Sequence, residues 1–118
     1  MTQVDSTSTL TRGPSEGGAI VGGIVHAGPG ASPACAALLT SALRRWALDG
    51  LVEVGELLVG RAADQVLAFD DLAEIRIRRM PSGVRVEFNT AVAVRLPAGL
   101  TSEHGSDGQT AWFDLAIR

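Results

Sequence analysis

The sequence predicts an α+β fold, a two-layer sandwich in which two main helices pack on one face of a mixed or antiparallel sheet of about five strands. Three observations support this prediction. Two consecutive segments carry apolar residues at helical spacing, a β-branched segment precedes them, and segments of alternating polar and apolar residues follow them. The length of 118 residues suits one domain, predicted over residues 19–118, and a domain of this size buries roughly 65% of its unfolded surface.

The N-terminal part of the chain divides into a tail and a strand. Residues 1–18 are rich in Ser, Thr and Gly and lack a basic segment followed by an apolar run, which predicts a disordered tail, no targeting signal and a cytoplasmic protein. Residues 19–26, AIVGGIVH, are β-branched and predict a first or edge strand that ends at His26. A phosphate-binding loop is excluded, since the glycine-rich residues 13–30 lack its spacing and the chain has no Lys.

Two helices are predicted next. Ser32 suits the N-cap of the first helix and Pro33 its first position. The buried stripe of this helix is predicted to contain Leu38, Leu39, Ala42, Leu43 and Trp46. Asp49-Gly50 separates it from a second amphipathic helix, predicted over residues 53–71. The core face of the second helix contains Leu58, Val59, Ala62, Ala63, Val66 and Leu67, and its polar face carries Glu56, Gly60, Arg61, Asp64 and Gln65.

The remaining strands are predicted from alternation. Residues 72–80 and 84–88 alternate on either side of Pro81-Ser82-Gly83, which predicts a hairpin in which Glu87 faces an Arg of the first strand. A short strand is predicted over residues 92–96, closed by Pro97, and a polar loop with an exposed His104 over residues 101–109. The last strand is predicted to point Ala111, Phe113, Leu115 and Ile117 inward.

The composition excludes several kinds of function. Ten basic residues, all Arg, and thirteen acidic residues give a mildly acidic chain with few aromatics, which argues against nucleic-acid binding. Alternation places most of the Arg residues at 76, 78, 79 and 85 on the solvent face of the hairpin, which we interpret as a solvated strand face. Cys35 is predicted to be a buried small hydrophobe rather than a catalytic thiol, and the scattered His and Cys residues lack metal-ligand spacing. The longest nearly apolar run, residues 19–25, is too short to span a membrane.

Three segments, taken in order, carry a family resemblance. ALRRWALDGLVEVGELLV, EIRIRRMPSGVRVEF and DGQTAWFDLAI resemble the small anti-sigma-factor serine kinases of the GHKL (histidine-kinase-like) ATPase superfamily. In that family a Trp-Gly-Leu helix end leads into a helix that begins E-L-L/V-V, followed by a hairpin of the kind R-x-T-P-D-G-L-R-V-E-V and a last strand G-K-T-V-W-F-E-L. The resemblance covers most of residues 32–117.

The chain departs from this family at its ATP site. The resemblance places Arg61 at the position of the general-base Glu, Gln65 at the position of the Mg²⁺-binding Asn, and Thr90, after Asn89, at the position of the adenine-reading Asp. An Arg cannot act as that base, and the longer Gln suits strict Mg²⁺ geometry poorly. No D-x-G-x-G box or later G-x-G lid is present, and residues 90–108 are too few for the usual ATP lid and a further helix. The vestigial nucleotide-binding set is therefore Arg61, Asp64, Gln65, Asn89 and Thr90.

These departures predict a non-catalytic protein-interaction module without a cofactor, metal or catalytic residue. The resemblance implies a sigma factor, an anti-sigma antagonist (STAS) domain or an intact related kinase as partner, with a possible homodimer. A remodelled nucleotide or small-ligand site around Arg61, Asp64 and Gln65 is the first alternative, although an Arg61 paired to Glu56 or Asp64 is favoured over a phosphate site there. A self-associating structural domain is the second alternative.

Overall fold

The computed structural model describes residues 19–117 and confirms the predicted α+β sandwich, with two helices on one face of a five-stranded sheet. The predicted N-terminal tail, residues 1–18, lies outside the described residues. In chain order the elements are β1 (Ile20–His26), α1 (Ala31–Arg45), a 3-10 turn (Asp49–Leu51), α2 (Val52–Leu67), β2 (Leu72–Met80), β3 (Gly83–Asn89), β4 (Glu103–Ser106) and β5 (Thr110–Ala116).

The sheet is antiparallel throughout, which decides between the two predicted sheet types. Its strand order is β1-β2-β3-β5-β4, and every neighbouring pair runs antiparallel. The predicted hairpin is confirmed, with Met80 opposite Gly83 and Arg76 opposite Glu87. As predicted, β1 lies at an edge of the sheet, and β4 forms the opposite edge.

A single core fills the space between the helices and the sheet, because both helices turn an apolar stripe toward the inward-facing residues of the strands. Burial of each large aliphatic or aromatic side chain contributes about 1.5–3 kcal/mol. The largest fully buried side chains are Phe88, Phe113, Leu39, Leu43, Leu58, Ile75 and Ile77. The predicted inward alternation of β2, β3 and β5 is confirmed up to Leu115, but Ile117 lies beyond β5 and is 41% exposed.

The first helix starts earlier than predicted. Helix α1 begins at Ala31, with Gly30 at the N-cap, so Ser32 is not the capping residue. The Ala31 N–H donates to the Gly28 carbonyl oxygen at 3.1 Å, and this turn satisfies a free donor without a side-chain cap. The Ser32 hydroxyl instead donates to the Gly60 carbonyl oxygen of α2 at 3.3 Å. Pro33 is the third helical residue, still within the first turn, where its missing N–H costs nothing.

Helix α2 is shorter than predicted and ends at Leu67, with residues 68–71 in a turn that leads to β2. The N–H groups of Ala68 and Asp70 still donate to carbonyl oxygens of the last helical turn. The predicted core face is otherwise confirmed: Leu58, Val59, Ala62, Ala63 and Val66 are fully buried, and Leu67 is half-buried.

Two predictions about the C-terminal third are wrong. Residues 92–96 form no strand, although Val94 and Leu96 pack against the core. Conversely, part of the predicted polar loop, Glu103–Ser106, forms β4 beside β5. Both edges of β5 are already occupied, by β3 and β4, so residues 92–96 have no neighbouring edge with which to pair.

Candidate functional site

The residues predicted to be vestiges of a nucleotide site lie along α2 and at the end of β3. Arg61 and Asp64 are exposed on α2, and Asn89, the last residue of β3, is also exposed. Gln65 is half-buried, whereas Thr90 is 5% exposed and is the buried polar residue of the described chain. What connects Gln65 and Thr90 is the segment of residues 90–102, here named the covering segment.

The covering segment runs from the end of β3 to the start of β4. Because β5 lies between β3 and β4 in the sheet, the segment must cross β5. It crosses on the helix side, since Val94 and Leu96 pack against the core and Arg95 contacts α2 through Gln65. The covering segment therefore occupies the helix layer beside α2.

The side-chain amide of Gln65 holds the covering segment at its middle. The Gln65 amide nitrogen donates to the Arg95 carbonyl oxygen at 2.7 Å, and the Arg95 N–H donates to the Gln65 side-chain oxygen at 2.7 Å. These two bonds satisfy both ends of the amide with one backbone residue. The oxygen that the family resemblance would direct toward Mg²⁺ thus accepts a backbone hydrogen bond.

The Thr90 side chain holds the start of the covering segment. Its hydroxyl donates to a carboxylate oxygen of Asp70 at 2.8 Å and accepts from the Val92 N–H at 3.0 Å. The Thr90 N–H donates to the Gln109 carbonyl oxygen at 2.9 Å. Sequence reasoning missed the role of Asp70, although two consecutive Asp residues directly after a helix are a polar pair placed to bind backbone or hydroxyl groups.

The exposed polar face of α2 forms no ion pair with any other residue of 19–117. In the part of the chain that the structure describes, Arg61 forms no salt bridge, so the predicted pairing with Glu56 or Asp64 is wrong. The Glu56 carboxylate instead accepts a hydrogen bond from the Thr40 hydroxyl of α1 at 2.7 Å. Arg61 is left as an exposed guanidinium one helical turn before Gln65.

Cys35 lies inside the core beneath this face. Its residue exposure is 0%. Burial raises the pKa of the Cys35 thiol, and the negative charge of Asp64 raises it further. A buried thiol with a raised pKa is a poor nucleophile at neutral pH, in agreement with the prediction of a small buried hydrophobe. Over residues 19–117 no group of three or more His, Cys, Asp or Glu side chains is arranged to hold a metal ion.

The opposite face of the sheet carries a cluster of charged side chains. Arg85 binds Asp114 through two hydrogen bonds of 2.7 and 3.0 Å, and its guanidinium carbon lies 4.1 Å from the centre of the Trp112 ring. The bond to Asp114 raises the pKa of Arg85. Glu87 lies 3.6 Å from Arg76 and 3.5 Å from Arg78, which confirms the predicted cross-strand contact. Three of the four Arg residues of the predicted face, Arg76, Arg78 and Arg85, thus have carboxylate partners within the sheet, whereas Arg79 donates to the carbonyl oxygens of Met80 and Gly83.

An apolar cavity of about 540 Å³ lies at the far end of the covering segment. It is bounded by the segment before α2, the end of the covering segment and the end of β5. Its apolar lining includes Leu48, Leu51, Val54, Leu100, Leu115 and Ile117. None of the residues predicted to belong to a nucleotide site lines this cavity.

The comparisons with known proteins add no relative. No protein-family model, curated protein or solved structure matches this chain. Among the helices of residues 19–117, none combines the length and apolar character that a membrane span requires.

Proposed function

We propose that this protein is a non-catalytic interaction and regulatory module, derived from an anti-sigma-factor kinase-like ATPase and acting in partner-switching control of transcription. The observation that carries the proposal is the pair of hydrogen bonds between the Gln65 side chain and the Arg95 backbone. The Gln65 amide is thereby turned toward the covering segment, and a metal ion at its oxygen would have to displace the Arg95 N–H or share the oxygen with it.

The covering segment extends this support to the space beside α2. If a nucleotide bound against the polar face of α2, as the resemblance implies for the family, it would compete with residues 90–102 for that space. Thr90, at the adenine-reading position, is buried and bonded to Asp70 and Val92. Opening the site would break the hydrogen bonds at both Gln65 and Thr90, each of which contributes about 1 kcal/mol.

The chemistry of the Arg61 side chain also supports the proposal of a non-catalytic protein. Phosphate transfer to a hydroxyl requires a group that accepts the proton of the nucleophile, and a guanidinium stays protonated in proteins. Among the described residues, no carboxylate forms an ion pair with the exposed Arg61 and so none stands beside it to act as the base. The guanidinium at this position supports a protein that acts by binding.

Nucleotide titration tests the non-catalytic assignment. Thermal shift and calorimetry with ATP, ADP and Mg²⁺ are expected to show no binding in the micromolar range. Micromolar binding of ATP with Mg²⁺, or transfer of phosphate to a candidate antagonist, would overturn the assignment.

Purification from the native host tests the interaction assignment, with bound proteins identified by mass spectrometry. The family resemblance supports three partner classes: a sigma factor, a STAS-type antagonist or an intact kinase of the same family. We expect one of them to be recovered in stoichiometric amount. Recovery of the chain with no other protein, by a method that retains a known sigma-factor complex, would contradict a partner of these classes.

A second candidate function is the binding of a nucleotide or another small anion at a remodelled surface site on α2. The exposed, unpaired Arg61 next to Asp64 favours it. Such binding should disappear in an Arg61→Ala variant and persist in an Arg44→Ala variant, which removes an exposed Arg from α1 instead. Loss of binding in both variants would indicate a nonspecific charge effect and would count against this site.

A further inference from the structure

Among residues 19–117, strand β1 pairs with β2 along one edge, and no strand pairs with its other edge. The Arg79 N–H donates to the Ala19 carbonyl oxygen and the Ala27 N–H to the Asp71 carbonyl oxygen, so the odd-numbered residues of β1 direct their backbone groups toward β2. The N–H and C=O groups of Ile20, Gly22, Ile24 and His26 therefore point away from the sheet.

This edge lacks the features that keep sheet edges from pairing. Natural edge strands are blunted by charged side chains, prolines, bulges or a short length. Strand β1 has seven residues, IVGGIVH, with no charged side chain and no proline, and it pairs with β2 in an unbroken register. The opposite edge, β4, has four residues and includes Glu103. Of the two edges of the sheet formed by residues 19–117, β1 is the long, uncharged one.

We propose that a second copy of this chain pairs with β1 along this edge, antiparallel and with a two-fold axis at Gly23. In this register Ile20 lies opposite His26 of the second copy, and Gly22 lies opposite Ile24. All four outward-facing residues then form hydrogen-bonded pairs, with about eight hydrogen bonds between the copies. A shift of the register by two residues would leave part of the edge unpaired or extend the pairing beyond Ile20 or His26.

The side chains fit this register on both faces of the sheet. On the outer face, Ile24 is 62% exposed, and it would cover the bare backbone of Gly22 in the second copy. On the helix side, a Cβ added to Gly23 would lie 3.3 Å from the Leu38 side chain, so Leu38 packs directly over the axis. Leu38, Val21 and Val25 are only half-buried in one copy, and the pairing would bring them together with their counterparts.

Charge does not oppose the pairing. The nearest charged side chains on the outer face belong to β2, one strand back from the edge. In the proposed register Arg76 and Gly22 of one copy lie in line, across the strands, with Ile24 and Glu74 of the second copy. The charges of Arg76 and of Glu74 in the second copy are opposite in sign and about 14 Å apart, beyond the screening length of about 8 Å. The two sheets would then form one ten-stranded sheet with all helices on one face.

The pairing deepens the proposed function because it names a second copy of the chain as one partner and β1 as the surface that binds it. It rests on the proposed function only in that an interaction module is expected to have such a partner. Its partner is identified by the uncharged, self-complementary edge of β1. The nucleotide titration and the edge experiment below have separate readouts, so either assignment can fail while the other stands.

Light scattering and sedimentation of the full chain, over a range of micromolar concentrations, test the pairing. We expect a particle of twice the chain mass that becomes a monomer in Ile24→Lys and in Ile24→Pro. The proline removes an outward N–H and leaves the bonds to β2 intact. Leu57→Lys is the matched control: Leu57 is 46% exposed on α2, away from β1, and this variant should remain a dimer. Circular dichroism should show the same fold in all variants.

Amide hydrogen exchange gives a second readout that a different dimer interface would not produce. In the monomeric Ile24→Lys variant the amides of Gly22 and His26 should exchange quickly and those of Gly23 and Val25 slowly. In the wild-type dimer the alternation should disappear, with the Gly22 and His26 amides slowed at least tenfold. A wild-type monomer at every concentration would overturn the proposal, as would a dimer that survives both Ile24 variants or leaves Gly22 unprotected. Capture of a different protein that depends on Ile24 by a monomeric chain would also overturn it, but would leave the proposed function intact.

Discussion

Thr90 shows how a single hydroxyl can fix the path of a long connection. The hydroxyl is buried at the end of β3, donates to Asp70 after α2 and accepts from Val92 in the covering segment. It therefore joins the end of β3 and the start of the covering segment to Asp70, twenty residues earlier in the chain. Removal of the hydroxyl takes away the protein partner of both groups, and because Asp70 and Val92 are half-buried, water restores these bonds only in part.

Replacement of this hydroxyl should destabilise the protein measurably. We expect Thr90→Val to lower the free energy of unfolding by about 1–3 kcal/mol, since it keeps the size of the side chain but leaves the Val92 N–H and the Asp70 carboxylate unpaired. Urea unfolding measures the change. Thr90→Ser retains the hydroxyl and should cost less than about 1 kcal/mol. Equal losses in the two variants would show that packing of the methyl group dominates.

The buried thiol of Cys35 predicts a pH dependence. Burial and the charge of Asp64 raise its pKa in the folded chain. Above the unfolded pKa of about 8.5 the unfolded chain releases the thiol proton and the folded chain retains it, so stability falls as pH rises. Below that pH the contribution is fully present. We expect the stability advantage of the wild type over Cys35→Ala to shrink as pH rises from neutral to alkaline, measured by urea unfolding. An advantage that stays constant with pH would contradict the raised pKa.

At the scale of elements, alternation in sequence reports burial more directly than it reports hydrogen bonding. Residues 92–96 alternate, and Val94 and Leu96 do pack against the core, yet no strand edge is free beside them. Strand β4 shows the reverse case. Its sequence, EHGS, has no apolar alternation, and its strand structure comes from pairing with β5. Sequence periodicity contains no information about which edges are free.

The sequence predicts which residue types lie at the candidate site, but it does not predict which contacts they make. The positions of Arg61 and Gln65 on the polar face of α2 followed from helical periodicity. The partner of Gln65 did not, because Arg95 is thirty residues away and contributes only its backbone, which has the same groups in every residue. The Ser32 cap was mistaken for a related reason. A turn at Gly28 supplied the carbonyl oxygen that made an earlier helix start possible.

The covering segment should be released when Gln65 is shortened. Gln65→Ala removes both hydrogen bonds to Arg95, about 2 kcal/mol in total, which corresponds to a roughly 30-fold higher population of the open segment. Trypsin cleaves after Arg, and Arg95 is the one Arg in residues 90–102. We expect cleavage after Arg95 to become at least tenfold faster. The control Asp64→Ala alters an exposed neighbour and should leave this rate unchanged. An unchanged rate in Gln65→Ala would show that Thr90 and the packing of Val94 and Leu96 hold the segment without the Gln65 bonds.

At the scale of the molecule, the strand order predicts a gradient of stability across the sheet. Strand β3 lies at its centre, between β2 and β5, and its residues Val86 and Phe88 are at most 1% exposed. Strand β4 has four residues, one neighbour and mostly exposed side chains. Opening β4 exposes little apolar surface, whereas freeing a β3 amide requires the core to be broken.

Native-state hydrogen exchange in low urea should therefore divide the strands by their position in the sheet. We expect the hydrogen-bonded amides of β3 to exchange only through global unfolding, with the full free energy measured by urea denaturation. Those of β4 should exchange through local opening at a free energy several kcal/mol lower and nearly independent of urea, because local opening exposes little surface. Protection of β4 equal to that of Val86 would mean that the edge and the centre unfold as one unit, and the packing of Trp112 against Gly105 would then be the contact that joins them.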